Sequence, residues 1–203
     1  MPSRKQAVIA AAILLLALVI GGAAFFFRAG GNGPISIGEA LIGGPFTLTD
    51  QNGHRVTEKD FLGKYMLVFF GYTYCPDVCP TELQVMTEAL KQMGPKADVI
   101  QPIFISFDPE RDTPETLKTY VGNFSPQLIG LTGTEQEIAA AAKAYRVYYS
   151  KVKDSGGAND YLMDHSSILY LMGPDGKFVR HFSYTTDAKT LADALTSTVS
   201  GSP

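Results

Sequence analysis

Two largely apolar runs constrain this chain more than any other feature. Met66-Leu-Val-Phe-Phe70 contains no polar side chain and stops at Gly71, and a second run extends from Val99 to Phe107. Runs of this length without in–out alternation read as strands buried on both faces, the pattern of a parallel sheet covered by helices. A proline follows each one, Pro80 and Pro114. Proline suits the first helical position, because the N–H it lacks would have no intrahelical partner there. Leu83, Met86, Leu90 and Met93 then share one helix face until Gly94-Pro95 ends the segment. Thr113 is placed to cap the helix at Pro114, which runs to about Gly122.

The flanking segments complete the pattern. Phe46–Thr49 and Arg55–Thr57 enclose Asn52-Gly53, a dipeptide favoured in type I′ hairpin turns because both central residues need positive φ. Leu128–Leu131 reads as a short strand, and Thr134 with Glu137 forms a capping box opening an alanine-rich helix that ends near Tyr145. Val147–Val152 is extended, and residues 153–160 form a polar, glycine-containing loop. Ser167–Met172 and Lys177–Ser183 pair across Gly173-Pro-Asp-Gly176, and the last helix covers about Asp187–Val199. Strands separated by helices pair in parallel through right-handed crossovers, and the closing hairpin adds an antiparallel edge. The predicted fold is α/β and thioredoxin-like, a mixed central sheet with flanking helices and an N-terminal β-hairpin.

Ahead of this domain, Ala7 to Phe27 is a stretch of 21 residues without a charge, preceded by Arg4 and Lys5 and followed by Arg28. In helical form it spans roughly 30 Å, the thickness of a bilayer core. The positive-inside rule keeps the short N-terminus in the cytoplasm and exports the rest. A cleaved signal peptide is the competing reading, but cleavage after Gly21-Gly22-Ala23 would expose Phe25, Phe26 and Phe27 at a new terminus. The expected organisation is a cytoplasmic N-terminus over 1–5, a transmembrane anchor over 6–28, a linker over 29–40 and one domain over 41–203. The expected location is a bacterial inner membrane, single-pass, with the C-terminal domain in the periplasm. Of 17 basic residues, three precede Pro34, leaving 14 against 20 acidic ones in the exported part. That balance excludes nucleic acid as a natural partner.

The chain has two cysteines, too few for a disulfide framework in a domain of this size, so the pair reads as a site. Cys75 follows the first buried strand, and Cys79 immediately precedes the helix that Pro80 opens. A helix N-terminus favours negative charge, so a thiol there ionises more readily and becomes a better nucleophile and metal ligand. Two thiolates select Cu(I), zinc or iron–sulfur by softness, although four-coordinate zinc needs two further donors. A disulfide or redox dithiol explains the same pair equally well.

Three histidines are available as a further ligand. His54 lies beside the Asn52-Gly53 turn, and His181 lies in an exposed strand next to Arg180. His165 lies in Tyr161-Leu-Met-Asp-His-Ser-Ser167, a turn-like segment before a hydrophobic strand. A lone loop histidine is usually structural, but in a thioredoxin-like layout this loop can approach the helix carrying the cysteines. Two thiolates and one imidazole would then make a three-coordinate site for Cu(I) or Cu(II), with Asp164 or a backbone carbonyl orienting the ring.

At these residues the sequence resembles the Sco/SenC family of copper-binding, thioredoxin-fold proteins that assemble cytochrome c oxidase. The matching segments are Phe46-Thr-Leu, Gly63-Lys64, Phe69-Phe-Gly-Tyr-Thr-Tyr-Cys75-Pro-Asp-Val-Cys79-Pro, Ile105-Ser-Phe-Asp-Pro-Glu-Arg-Asp-Thr-Pro114 and Asp164-His165-Ser-Ser. The resemblance implies one copper bound by Cys75, Cys79 and His165 and delivered to the dinuclear site of cytochrome c oxidase subunit II. It also implies possible exchange with other periplasmic copper chaperones. The alternative is a thiol-disulfide oxidoreductase in which Cys75 and Cys79 keep the target's cysteines reduced, although their three-residue spacer departs from the usual two. A peroxiredoxin reading of Val78-Cys79-Pro-Thr-Glu82 fails, because Pro76 stands where that family places a peroxide-orienting threonine. Asp77 reads as a turn residue, and Asp108 to Asp112 as either a binding surface or a solvated loop with a helix cap.

Overall fold

The computed structural model describes residues 41–153 and 161–201. In chain order the strands and helices begin with β1 (Thr47–Asp50), β2 (Arg55–Thr57), β3 (Tyr65–Gly71), α1 (Val78–Met93) and β4 (Ile100–Ser106). There follow α2 (Pro114–Gly122), β5 (Ile129–Thr132), α3 (Glu135–Tyr145), β6 (Tyr149–Lys153) and β7 (Tyr161–His165). The chain closes with β8 (Ile168–Met172), β9 (Phe178–Ser183) and α4 (Ala188–Ser200). The anchor expected over 6–28, the linker over 29–40 and the polar loop over 154–160 lie outside the described residues. Among those that are described, no helix is long and apolar enough to cross a membrane.

Seven strands form one mixed sheet in the order β2-β1-β5-β4-β3-β8-β9. β3, β4 and β5 run parallel at its centre, while β1 and β8 join it antiparallel. β3 is buried at every position, as its unbroken apolar run requires. Leu67, Phe69, Phe70, Ile103 and Phe104 are fully enclosed, and each such side chain contributes about 1.5–3 kcal/mol through burial. Helix α1 turns Leu83, Met86, Leu90 and Met93 inward and packs against α4.

The register decides what gathers at one edge of the sheet. Gly71 pairs with Ser106 at the shared ends of β3 and β4, so the two loops that follow leave side by side. The Phe107 N–H donates to the Gly71 carbonyl at 3.0 Å, extending that edge by one bond. Because β8 runs antiparallel to β3, with Phe69 opposite Leu169, its first residues also arrive at this edge. The chain entering β8 therefore meets the chain leaving β3.

Several local expectations are corrected. The first hairpin does not use a type I′ turn: among its turn residues only Gly53 has positive φ, at 85°. Instead the Gly53 N–H closes onto the Asp50 carbonyl, the Asp50 N–H reaches the His54 carbonyl, and the Asp50 carboxylate accepts the N–H groups of Asn52 and His54. This is the three-residue loop in which a type I turn is followed by a left-handed glycine. Helix α1 starts two residues before Pro80, so Cys79 lies inside its first turn. Proline is tolerated there because the first four helical N–H groups lack partners in any case. Thr113 and Thr134 cap α2 and α3 as expected, accepting from Thr116 N and Glu137 N.

The largest difference concerns the third-ligand segment. Tyr161–His165 is a strand, not a turn, and it pairs with β6 in a separate two-stranded antiparallel sheet with Tyr149 opposite His165. The alternation Tyr-Leu-Met-Asp-His carried that signal weakly, because the mixed polarity of a small exposed ribbon looks like that of a loop.

Candidate metal centre

The site is built at the edge where β3 and β4 end. Cys75 lies half-buried in the loop after β3, and Cys79 is fully buried in the first turn of α1. Helix α1 has no side-chain cap from Asp77, which is exposed. The Cys75 sulfur takes that place: its Sγ accepts the Cys79 N–H at 3.4 Å. A sulfur held at a helix N-terminus by backbone donors is stabilised as the thiolate.

The electrostatics separate the two thiols. The Cys75 thiol is brought down to about 3, chiefly because the Cys79 thiol donates to it, with further help from His165 and backbone N–H groups against the cost of burial. The Cys79 thiol is pushed up, because ionising it would remove that same bond and place a second negative charge beside Cys75 in a buried position. Of the two thiols, Cys75 is the one that ionises first.

His165 completes the cluster from the end of β7. Its Nε2 lies 3.7 Å from Cys79 Sγ, and its Nδ1 lies 3.3 Å from the Ser166 carbonyl. The ring orientation expected from Asp164 or a backbone carbonyl comes from the carbonyl; Asp164 is exposed. Phe107 packs at 5.0 Å from the imidazole and Tyr72 at 6.1 Å, edge to face. The two sulfurs and one imidazole nitrogen lie within 4.8 Å of one another, and this is the one such group of ligating side chains among the described residues. His54, exposed and beside Asp50, and His181, exposed on β9, lie away from it. The donor set suits a soft ion, and among the described residues no fourth ligating side chain joins it to complete a zinc site.

Gly71 is part of the site without touching a metal. A Cβ at this position would stand 2.8 Å from Cys79 Sγ and 2.7 Å from Phe104. The absence of a side chain there is what lets the sulfur lie against the strand.

Asp108 and Asp112, read from sequence as a surface or a solvated loop, are both completely buried. Asp112 accepts from Thr73 N at 2.9 Å, Thr73 Oγ1 at 2.5 Å and Ser106 Oγ at 2.5 Å. Burial raises its pKa, partly offset by these donors. The carboxylate ties the loop after β3 to the end of β4 and thereby fixes the path into Cys75. Asp108 accepts from Arg111 Nε at 2.5 Å and Tyr161 Oη at 2.6 Å. No local periodicity marks these residues; the only signal was a cluster of polar groups beside a strand end.

A family model described as SCO1/SenC matches residues 36–200. The chain belongs to the SCO1/SenC family. Among relatives of this family, the human mitochondrial SCO1 homolog is 50% identical over 149 residues, covering 72% of this chain and 49% of its own length. The copper-bound structure of Bradyrhizobium japonicum ScoI is 52% identical, with a TM-score of 0.70, and the match covers 76% of this chain and 97% of that one. Copper-bound Arabidopsis thaliana ScoI is 43% identical, with a TM-score of 0.75 and coverage of 79% and 99%. The chain spans about half the length of the first curated SCO1/SenC relatives it matches, 57%, 49% and 48%.

Proposed function

We propose that this chain binds one copper ion through Cys75, Cys79 and His165 and serves in the assembly of cytochrome c oxidase by delivering copper to the dinuclear centre of subunit II. The observation that carries the reading is the convergence of two sulfurs and one imidazole nitrogen within 4.8 Å at one edge of the sheet. Membership of the SCO1/SenC family and the copper-bound state of two of its similar members support it. Bound there, copper supplies a one-electron couple and an exchangeable cargo. The protein supplies a thiolate at Cys75, a second sulfur in the helix first turn and an imidazole held by a backbone carbonyl. An anchor over residues 6–28 would hold the domain on the periplasmic side of a bacterial inner membrane, close to a membrane-bound acceptor.

Thiol-disulfide exchange with the acceptor's cysteines is a second reading, favoured by a half-buried Cys75 whose thiol ionises more readily than that of the buried Cys79 beside it. That asymmetry is what an attacking thiolate and a resolving thiol require. Both readings use the same sulfurs.

The deciding measurement is copper content and absorption of the purified chain in detergent, compared with His165→Ala and with both cysteines changed to serine. One copper per chain and intense thiolate-to-Cu(II) absorption, diminished in the first variant and absent in the second, is the expected result. Equal binding by all three would sink the proposed centre.

A further inference from the structure

His165 sits on a sheet that is not part of the main one. Among the described residues β6 and β7 pair with each other and not with the seven-stranded sheet, so the entry of β8 beside β3 fixes only the end of the ribbon next to His165 and leaves its other end to side-chain contacts. Phe107 and Tyr72 pack on the His165 end of the ribbon, and Arg111 fastens its Tyr161 end.

The guanidinium of Arg111 joins three segments. Its Nε donates to the buried Asp108 carboxylate at 2.5 Å, in the loop that leaves β4. Its Nη1 donates to the Tyr161 carbonyl at 3.0 Å, and its Cζ lies 3.6 Å from the centre of the Tyr161 ring. It also lies 4.7 Å from the Tyr74 ring and 5.8 Å from the Tyr72 ring, on the loop that leads into Cys75. Tyr161 Oη closes the circuit onto Asp108 at 2.6 Å, and Tyr72 Oη accepts the Met163 N–H at 3.2 Å, halfway along β7. A planar fork that bonds at its edge while stacking on its faces does what an ammonium group cannot.

We propose that Arg111 is a positioning residue for the Cys75–Cys79–His165 centre, clamping the ribbon that carries the imidazole to the loop that carries the first thiolate. The inference rests on the metal-centre reading above. Tyr161 begins β7 and His165 ends it, four residues on and about 13 Å away at the usual strand rise. Release at the Tyr161 end therefore lets the strand tilt and moves the ring relative to both sulfurs. Groups that orient metal ligands in this indirect way typically alter affinity by about 10–100-fold when removed.

The test uses the full chain in detergent with Arg111→Lys, Arg111→Met and Tyr161→Phe. Tyr161→Phe keeps the ring under the guanidinium and removes only the hydroxyl's bonds to Asp108 and Glu110, so it remains informative if an arginine variant folds poorly. In the metal-free chain, amide hydrogen exchange over residues 161–165 is expected to quicken severalfold, while exchange in β3 stays unchanged. Copper affinity is expected to fall about tenfold in Arg111→Lys, with a weakened nitrogen hyperfine signature of bound Cu(II). Combined with His165→Ala, Arg111→Lys should add nothing, because the ligand it positions is gone. Unchanged exchange in β7, or an affinity loss of equal size in both backgrounds, overturns the clamp. Wild-type affinity and spectrum in His165→Ala overturns the three-ligand centre instead, and the exchange measurement still decides whether Arg111 holds the ribbon.

Discussion

The sulfur of Cys75 caps the helix that carries Cys79, accepting its N–H at 3.4 Å. One group thus does the work of an N-cap side chain and prepares itself as a thiolate. At pH 5 an alkylating agent should modify Cys75 readily and leave the buried Cys79 untouched. Removing the Cys79 thiol in Cys79→Ala takes away the largest cause of the lowered Cys75 pKa, so the alkylation profile of Cys75 should move toward higher pH. Peptide mass spectrometry across a pH series reads both effects, and equal labelling of the two cysteines in the unmodified chain would contradict the asymmetry.

Gly71→Ala places a methyl group 2.8 Å from Cys79 Sγ and 2.7 Å from Phe104 in a strand with no exposed residue. Overpacking of this kind costs about 1–3 kcal/mol. The variant should unfold at lower denaturant concentration and also bind copper more weakly, because the sulfur must move away from the strand. Chemical denaturation and a competitive copper titration measure the two losses. Wild-type affinity in a destabilised chain would show that the sulfur position is not set by Gly71.

Glu82 is buried in α1, and burial alone pushes its carboxyl up to about 7. In the unfolded chain it ionises near the ordinary glutamate value of 4.5. Below pH 4.5 both states are protonated and the group is neutral to stability. Between that pH and about 7 the unfolded state loses its proton first, so stability falls as pH rises and stays lower above 7. Glu82→Gln should be near neutral at pH 4 and stabilising by on the order of 2 kcal/mol at pH 8. Denaturation midpoints at the two pH values test this, and a pH-independent difference would contradict it.

Glu137 shows the opposite sign. Its carboxylate pairs with Arg55 and accepts the Thr134 N–H at 2.9 Å in the capping box of α3, and these partners hold it down at about 2. The stability it contributes is present above pH 4.5 and is lost as pH falls toward 2. Because both partners are well solvated, Glu137→Gln should cost only about 1 kcal/mol at pH 7. The difference should vanish near pH 2 and shrink in high salt, as read by thermal unfolding across pH and ionic strength.

Much of the fold could be read residue by residue. The apolar runs of β3 and β4, the caps at Thr113 and Thr134, and the turn at Gly173–Gly176 all appear in the structure where local patterns place them. Errors came where two local rules competed. At Asn52-Gly53 the Asp50 side chain bonds the turn backbone and selects a different hairpin loop, and at Pro80 the helix extends backwards through Cys79 because the Cys75 sulfur supplies the cap. Asp108 and Asp112 looked solvated because nothing local shows that Ser106, Thr73, Arg111 and Tyr161 converge on them.

The candidate centre divides along the same line. Placing two cysteines at a strand–helix junction, where backbone donors favour thiolates, needs only the order of residues between Phe70 and Leu83. The meeting of Cys79 with His165 joins positions 86 residues apart. It depends on β8 entering antiparallel beside β3, on a ribbon paired apart from the main sheet, and on the aromatic and guanidinium contacts that fasten it. Periodicity and capping act over a few residues, so they place the two cysteines; that Cys75 rather than Cys79 ionises is decided by burial and by the bond between them. The distance between imidazole and sulfur is set by packing between segments remote in the chain, and only the folded molecule brings those segments together.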